Sequence, residues 1–154
     1  MRGVPRSSRR TRRDRESGAS AIEFVAWTPL LFLFMFGSVQ VGLSLFARHV
    51  AMTAAQQGAR VAREQAETNS GWAVPAKNTA RDWVDQLIGG LVLNTAWEPT
   101  SIGPVTTDGG YPEVGVQVSF QLVSAVPGWH FTITESSQGP IECYYSEAGQ
   151  CIAP

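Results

Sequence analysis

Glu23 is the residue of this sequence whose chemistry most needs a partner. It stands at the front edge of a run, Phe24 to Phe46, that contains no charged side chain. An ionised carboxylate within an apolar helix costs roughly 2.5 to 3.5 kcal/mol near the centre of a bilayer and less at its edge. A cationic group on a neighbouring molecule would pair with Glu23 and set the axial register of the helices. The alternative is a hydrated carboxylate at headgroup depth, without a role.

The rest of the chain offers little catalytic chemistry. The sequence has no phosphate-cradling glycine-rich loop, no Gly-x-Ser-x-Gly nucleophile elbow, no His-Glu-x-x-His helix and no repeated Cys pairs. Asp82, Asp85 and Glu113 are interpreted as surface carboxylates, and His49 and His130 are too far apart in sequence to suggest a metal site. We therefore expect neither an enzyme nor a bound cofactor.

The run that follows Glu23 is long enough to cross a membrane. At 1.5 Å per residue, the helix from Phe24 to Phe46 spans a hydrocarbon core of about 30 Å. It is longer than the apolar region of a cleaved secretory signal, and its far end, Ser44 to His49, offers no convincing small-x-small cleavage site. A retained single-pass anchor is the expectation.

The charge distribution predicts how this helix is oriented. Residues 1–17 carry seven Arg against Asp14 and Glu16, a formal charge of +5, so the remainder carries −6 within a chain of net charge −1. The positive-inside rule then places the N-terminus in the cytoplasm and the C-terminal part outside. The other interpretation of the arginines is a contact with nucleic acid or anionic lipid, which would make the chain a membrane-tethered regulator.

Within the span, a few residues depart from the apolar pattern. Pro29 lacks a backbone donor and is expected to bend or loosen the helix. Ser38 and Gly42 form a small-x-x-x-small pair on which another helix can pack closely, and Gln40 needs a partner for its amide. The alternative is a plain anchor that tolerates small residues.

The residues around Glu23 resemble those of a known family. The segment Arg15–Phe24 resembles the start of type IVb pilins and pseudopilins, and most closely the TadE-like family, the minor pseudopilins of the tight-adherence (Flp) pilus apparatus. Phe24 stands where pilins of this class often have Tyr, a difference that favours the minor subunit. The resemblance is specific over residues 15–63. The further matching positions are Pro29-Leu30-Leu31, Phe36-Gly37, Ala54-Ala55 and Gly58-Ala59-Arg60.

This resemblance implies both a processing site and a set of partners. A prepilin peptidase would cut between Gly18 and Ala19, where small side chains and a flexible backbone leave the bond unhindered. Glu23 would become the fifth residue of the mature chain and pair with the new Ala19 amine of a neighbouring subunit, with Phe24 beside it. The implied partners are the peptidase, other pseudopilins, the major pilin, the inner-membrane pilus platform and the lipid bilayer. We expect no nucleic-acid partner.

The outer part of the chain, residues 48–154, predicts an α+β domain. A stalk helix over 48–68 carries rows of small residues for close approach, either to the domain's own sheet or to another subunit's helix. A second helix over 75–88 places Trp83 and Leu87 in the core. Strands follow within 91–135, beginning with Leu91–Trp97, and the alternation from Val114 to Leu122 is the clearest of them. The predicted fold is therefore a long transmembrane and stalk helix, a short helix and a small antiparallel sheet, resembling pilin-like folds.

The tail, 136–154, holds the two cysteines of the chain, Cys143 and Cys151. Outside the cytoplasm they are candidates for a disulfide that closes a short loop; the alternative is two free thiols.

These expectations combine into one predicted organisation. Residues 1–18 form a basic leader that is removed, 19–47 the transmembrane helix and 48–154 the outer domain. The predicted function is a TadE-like minor pseudopilin of the inner membrane, either part of the extracellular pilus or held at its base. The alternative from another class is an uncleaved, membrane-anchored module whose outer domain binds a ligand.

Overall fold

The computed structural model describes residues 13–106, 112–125, 128–142, 144–145 and 151–152; of 13–20, 106, 144–145 and 151–152 it describes the backbone alone. The chain divides into two compact units, Met1–Val39 and Gln40–Pro154. The described elements are two helices, α1 (Arg13–Gln65) and α2 (Ala73–Ile88), and five strands, β1 (Thr100–Thr106), β2 (Pro112–Leu122), β3 (Phe131–Pro140), β4 (Tyr144–Tyr145) and β5 (Cys151–Ile152). This confirms the predicted α+β fold.

Helix α1 contributes to both units, and its surroundings differ between them. In the first unit, nearly all side chains from Ala21 to Val39 are exposed; from Ala47 to Ala62 in the second unit, one face is buried. The helix ends at Gln65, three residues before the predicted end. The Asn69 N–H then bonds the Gln65 carbonyl at 2.9 Å, and the Asn69 side chain accepts the Gly71 N–H at 2.8 Å. This Asx turn ends the helix.

Helix α2 buries a narrower face than the sequence suggested. Its buried row repeats every four residues and consists of Ala76, Ala80, Val84 and Ile88. Trp83 and Leu87, which were predicted to lie in the core, are 38% and 50% exposed, so that prediction was wrong. Small alanines bring the helix close to its neighbours, and the adjacent row of larger side chains is then left on the flank.

The main sheet has the order β1-β2-β3 and is antiparallel throughout, while β4 and β5 form a separate two-stranded ladder. The central strand β2 turns Val114, Val116, Val118, Phe120 and Leu122 inward, as its alternation predicts. Strand β3 pairs with β2 along its whole length and extends to Pro140, into the region predicted as tail.

The predicted strand Leu91–Trp97 is replaced by a shorter contact. A 3₁₀ turn over Gly89–Leu91 is followed by a single bridge between Val92 and Leu122. The Asn94 side chain then accepts the Ala96 N–H at 3.1 Å, which turns the chain away from the sheet. The first full strand is therefore β1, an edge strand whose pairing shifts between Ile102 and Val105.

The core lies between the two helices and β2, and Gly58 marks the closest approach. A Cβ at Gly58 would lie 2.9 Å from the Ala76 carbonyl oxygen and 3.1 Å from Val116 Cγ2. The small residues of α1 around it, Ala51, Ala54, Ala55, Ala59 and Ala62, are fully buried. The rows of small residues therefore serve the domain's own packing, one of the two uses that the sequence left open.

Candidate processing and assembly segment

The residues predicted for processing and register lie close together near the start of α1. Glu23 and Phe24 are exposed, and 73% of the Phe24 surface is accessible. Gly18 and Ala19 lie in the same helix, in the part described by its backbone alone. The site therefore consists of neighbouring positions on one helix, in contrast to a pocket assembled from distant segments.

The surface that follows Glu23 is apolar and uncovered by the rest of the first unit. Large side chains that are more than 60% exposed lie on several sides of the helix: Phe24, Val25, Trp27, Leu31, Leu33 and Phe34, with Ile22 just before Glu23. Exposing such surface to water costs about 25 cal/mol per Å², whereas lipid tails accept it. Among the described residues, one helix is long and apolar enough to cross a membrane, within Ala21–Gln65. It fits a single-pass membrane anchor.

Two hydroxyl groups within this surface are satisfied by the helix itself. The Thr28 hydroxyl donates to the Phe24 carbonyl at 2.6 Å, and the Ser38 hydroxyl donates to the Met35 carbonyl at 2.9 Å. Pro29 lacks an N–H, so the Val25 carbonyl loses its usual helical partner, yet α1 continues through this position. Hydroxyls bonded in this way carry little unpaired polarity into lipid.

Comparison with known families identifies the same stretch. Residues 18–60 match the TadE-like protein family. The match covers the exposed helix and its continuation into the second unit, and it agrees with the resemblance found from Arg15 onward. It suggests a protein associated with the Tad pilus. No curated protein and no solved structure matches the chain.

The small residues of the TadE-like segment, residues 18–60, leave open surface as well as buried surface. Apart from the neighbouring backbone of α1, no atom of the described residues lies within 4 Å of a Cβ placed at Gly37 or at Gly42, and Ser38 is exposed. This contrasts with Gly58, which is enclosed. The packing of another helix on Ser38 and Gly42 stays a prediction.

Gln40, the first residue of the second unit, has a partner that the sequence did not indicate. Its side chain is 5% exposed, and its Oε1 accepts the Ala125 N–H at 2.7 Å. Its Nε2 is buried and has no hydrogen-bond partner among the described residues. The TadE-like segment is thereby joined to the loop between β2 and β3. The two residues lie 85 positions apart, so no local pattern signals this bond.

Ion pairs connect the later part of α1 to β3 and to the residues after it. Arg48 pairs with Glu135, an interaction without a local sequence signal. Arg60 and Glu64 form the expected i, i+4 pair at 2.8 Å. Arg63 and Glu67 have the same i, i+4 spacing, but Arg63 instead approaches Glu142 to 3.7 Å and packs against Gly139.

The remaining predicted site is the cysteine pair. Cys143 lies outside the described residues, and Cys151 is described only as backbone of β5. The disulfide remains a prediction. Among the described residues, no group of three or more His, Cys, Asp or Glu side chains is placed to hold a metal ion.

Proposed function

We propose that this chain is a minor pseudopilin, cut by a prepilin peptidase between Gly18 and Ala19, that acts structurally in assembling a Tad/Flp-type pilus. The observation that carries the proposal is the TadE-like match over residues 18–60, which coincides with an exposed apolar helix headed by Glu23. In this proposal the chain is a substrate of the peptidase and performs no catalysis itself.

Cleavage would supply the partner that Glu23 needs. A new amine on Ala19 carries a positive charge at neutral pH, and it stands four residues before Glu23 along the helix. In a neighbouring subunit the same amine meets Glu23 when the two helices are shifted along their axes by about one turn, roughly 6 Å. Two opposite charges attract far more strongly at the edge of lipid than in water, so the pair favours that one register.

The membrane address follows from the same segment. In this proposal the arginine-rich leader holds the N-terminus in the cytoplasm, and the outer domain, residues 48–154, folds on the other side of the inner membrane. Its partners there would be other pseudopilins, the major pilin and the pilus platform.

Glu23 provides the functional test. We expect Glu23→Ala and the similarly sized Glu23→Gln to be processed normally but to support little or no pilus assembly, because both remove the charge that fixes the register. Assembly is measured as pilin in the sheared surface fraction of cells that depend on this chain. The matched control is Glu64→Ala, which removes an exposed carboxylate from the same helix and should assemble normally. Normal assembly with both Glu23 variants would contradict the proposed register.

A further inference from the structure

We propose that the described residues of the loop between β2 and β3, 123–125 and 128–130, rest in the lipid headgroup layer, with Trp129 as the interfacial anchor. The inference rests on the membrane-anchoring part of the proposed function. It adds a second membrane contact, made by the outer domain itself, to the one made by the helix.

The first step is the direction of β3 along α1. Three contacts within the second unit succeed one another in the same order on both elements: Gln40 with Ala125, Arg48 with Glu135, and Arg63 with Glu142. Strand β3 therefore runs in the same direction as the helix. The loop before β3 lies beside Gln40, at the end of the domain where the chain arrives from the apolar segment.

The second step is depth. A helix needs about 20 apolar residues to cross a hydrocarbon core of about 30 Å, and the uncharged run that begins at Phe24 reaches that length at Leu43, shortly after Gln40. The first charged residue after the run is Arg48, about 12 Å beyond Gln40 along the axis. The change from hydrocarbon to water therefore falls between these two residues, at the level of the loop that Gln40 binds.

The third step is the surface found at that level. On the helix, Val41, Leu45 and Phe46 are each at least half exposed. On the loop, Val123 is 40% exposed and Trp129 is 62% exposed. Their apolar surface lies on two elements, α1 and the loop, which the Gln40 hydrogen bond links. A surface spread over two elements suits a lipid bilayer better than a small ligand.

Trp129 has the chemistry that is typical of residues at a membrane interface. An indole combines a large apolar ring with one N–H donor, and tryptophan is enriched where lipid chains meet headgroups. The ring of Phe131 lies 6.1 Å from that of Trp129 between centroids and supports it from the start of β3. The bilayer, already contacted by the preceding helix, is therefore the occupant that this surface fits.

The test uses the full chain labelled with 5-fluorotryptophan in nanodiscs of phosphatidylethanolamine and phosphatidylglycerol. Fluorine resonances are assigned with single Trp→Phe variants, including Trp129→Phe. A nitroxide on the lipid headgroup should remove most of the Trp129 signal. Trp72 is the internal control and should stay sharp, because it follows α1 at the opposite end of the domain from the loop. Trp27, within the span, should respond to a nitroxide on the acyl chain.

Two results would overturn the inference, and they are distinguishable. If Trp27 responds to the acyl-chain nitroxide while Trp129 is no more affected than Trp72, the anchor exists but the loop stands clear of the membrane or is covered by a second copy. If Trp27 does not respond either, membrane anchoring itself fails, and the inference fails with it.

Discussion

At the scale of single residues, the polar side chains of α1 show how the helix changes its surroundings. The hydroxyl groups of Thr28 and Ser38 donate hydrogen bonds to carbonyl groups of the same helix, an arrangement suited to lipid. Gln40 instead accepts a backbone N–H from Ala125 and is buried by its own domain. Gln40, the first residue of the second unit, thus makes a long-range hydrogen bond, in contrast to Thr28 and Ser38.

The Gln40 bond predicts a local effect on the β2–β3 loop. In Gln40→Leu the Ala125 N–H loses its acceptor, at a cost of about 0.5 to 1.5 kcal/mol because water can partly replace it. Hydrogen exchange of the Ala125 amide, measured by mass spectrometry on the full chain in nanodiscs, should accelerate by a few-fold to about tenfold.

Gln56→Leu is the control for this experiment, because Gln56 is an exposed residue of the same helix. Exchange at Ala125 should be unchanged in this variant. Equal acceleration in both variants, or in neither, would show that the Gln40 bond does not hold the loop.

Some residues could be singled out from the sequence, and some contacts were inaccessible to it. Glu23 is conspicuous because a charge beside an apolar run is costly, and the Arg60–Glu64 pair follows from helical spacing alone. The partner of Gln40 lies on a loop 85 residues away, and Arg63 prefers Glu142 to the local Glu67. Such contacts depend on how elements pack, which side-chain periodicity does not encode.

At the scale of elements, the close packing of α1 against α2 and β2 depends on the absence of a side chain at Gly58. We expect Gly58→Ala to destabilise the domain by about 1 to 3 kcal/mol, because its methyl group meets the Ala76 backbone and the Val116 side chain. The melting temperature of the full chain in detergent, followed by near-ultraviolet circular dichroism, should fall by several degrees.

Gly42→Ala serves as the matched control. It makes the same substitution in the same helix, at a position where the added atom would contact no other described element within 4 Å. Alanine favours helix by up to about 1 kcal/mol over glycine, so this melting temperature should be unchanged or higher. A Gly58→Ala variant as stable as Gly42→Ala would mean that α1 packs less closely against α2 and β2 at Gly58 than described.

Side-chain periodicity predicted some of these elements and missed others. The alternation of β2 was clear because one of its faces is buried, and α2 was clear from its helical period. The start of the sheet was missed because Leu91–Trp97 is apolar enough for a strand, whereas the Asn94 turn ends its pairing after Val92. Trp83 and Leu87 were assigned to the core because they follow the helical period, yet the row Ala76, Ala80, Val84 and Ile88 supplies the buried face.

At the scale of the whole molecule, the sequence divides into parts of different composition. An arginine-rich N-terminal segment, an apolar run and an acidic remainder are visible in composition alone, and helices followed by strands predict the α+β class. The structure adds that the division between its two units falls inside the apolar run, at Gln40, while the last seven residues of that run belong to the second unit. Composition alone did not reveal that boundary, because Gln40 to Phe46 is as free of charge as the residues before it.

The processing of the leader tests the central claim most directly. The measurement is intact mass with N-terminal sequencing of the full chain, extracted from membranes of cells with and without the matching prepilin peptidase. Gly18→Val, which places a branched side chain at the cut, is the control and should remain uncut. We predict a wild-type chain that begins at Ala19 only when the peptidase is present. A full-length chain in both cells would contradict the pseudopilin assignment and favour an uncleaved, membrane-anchored binding module.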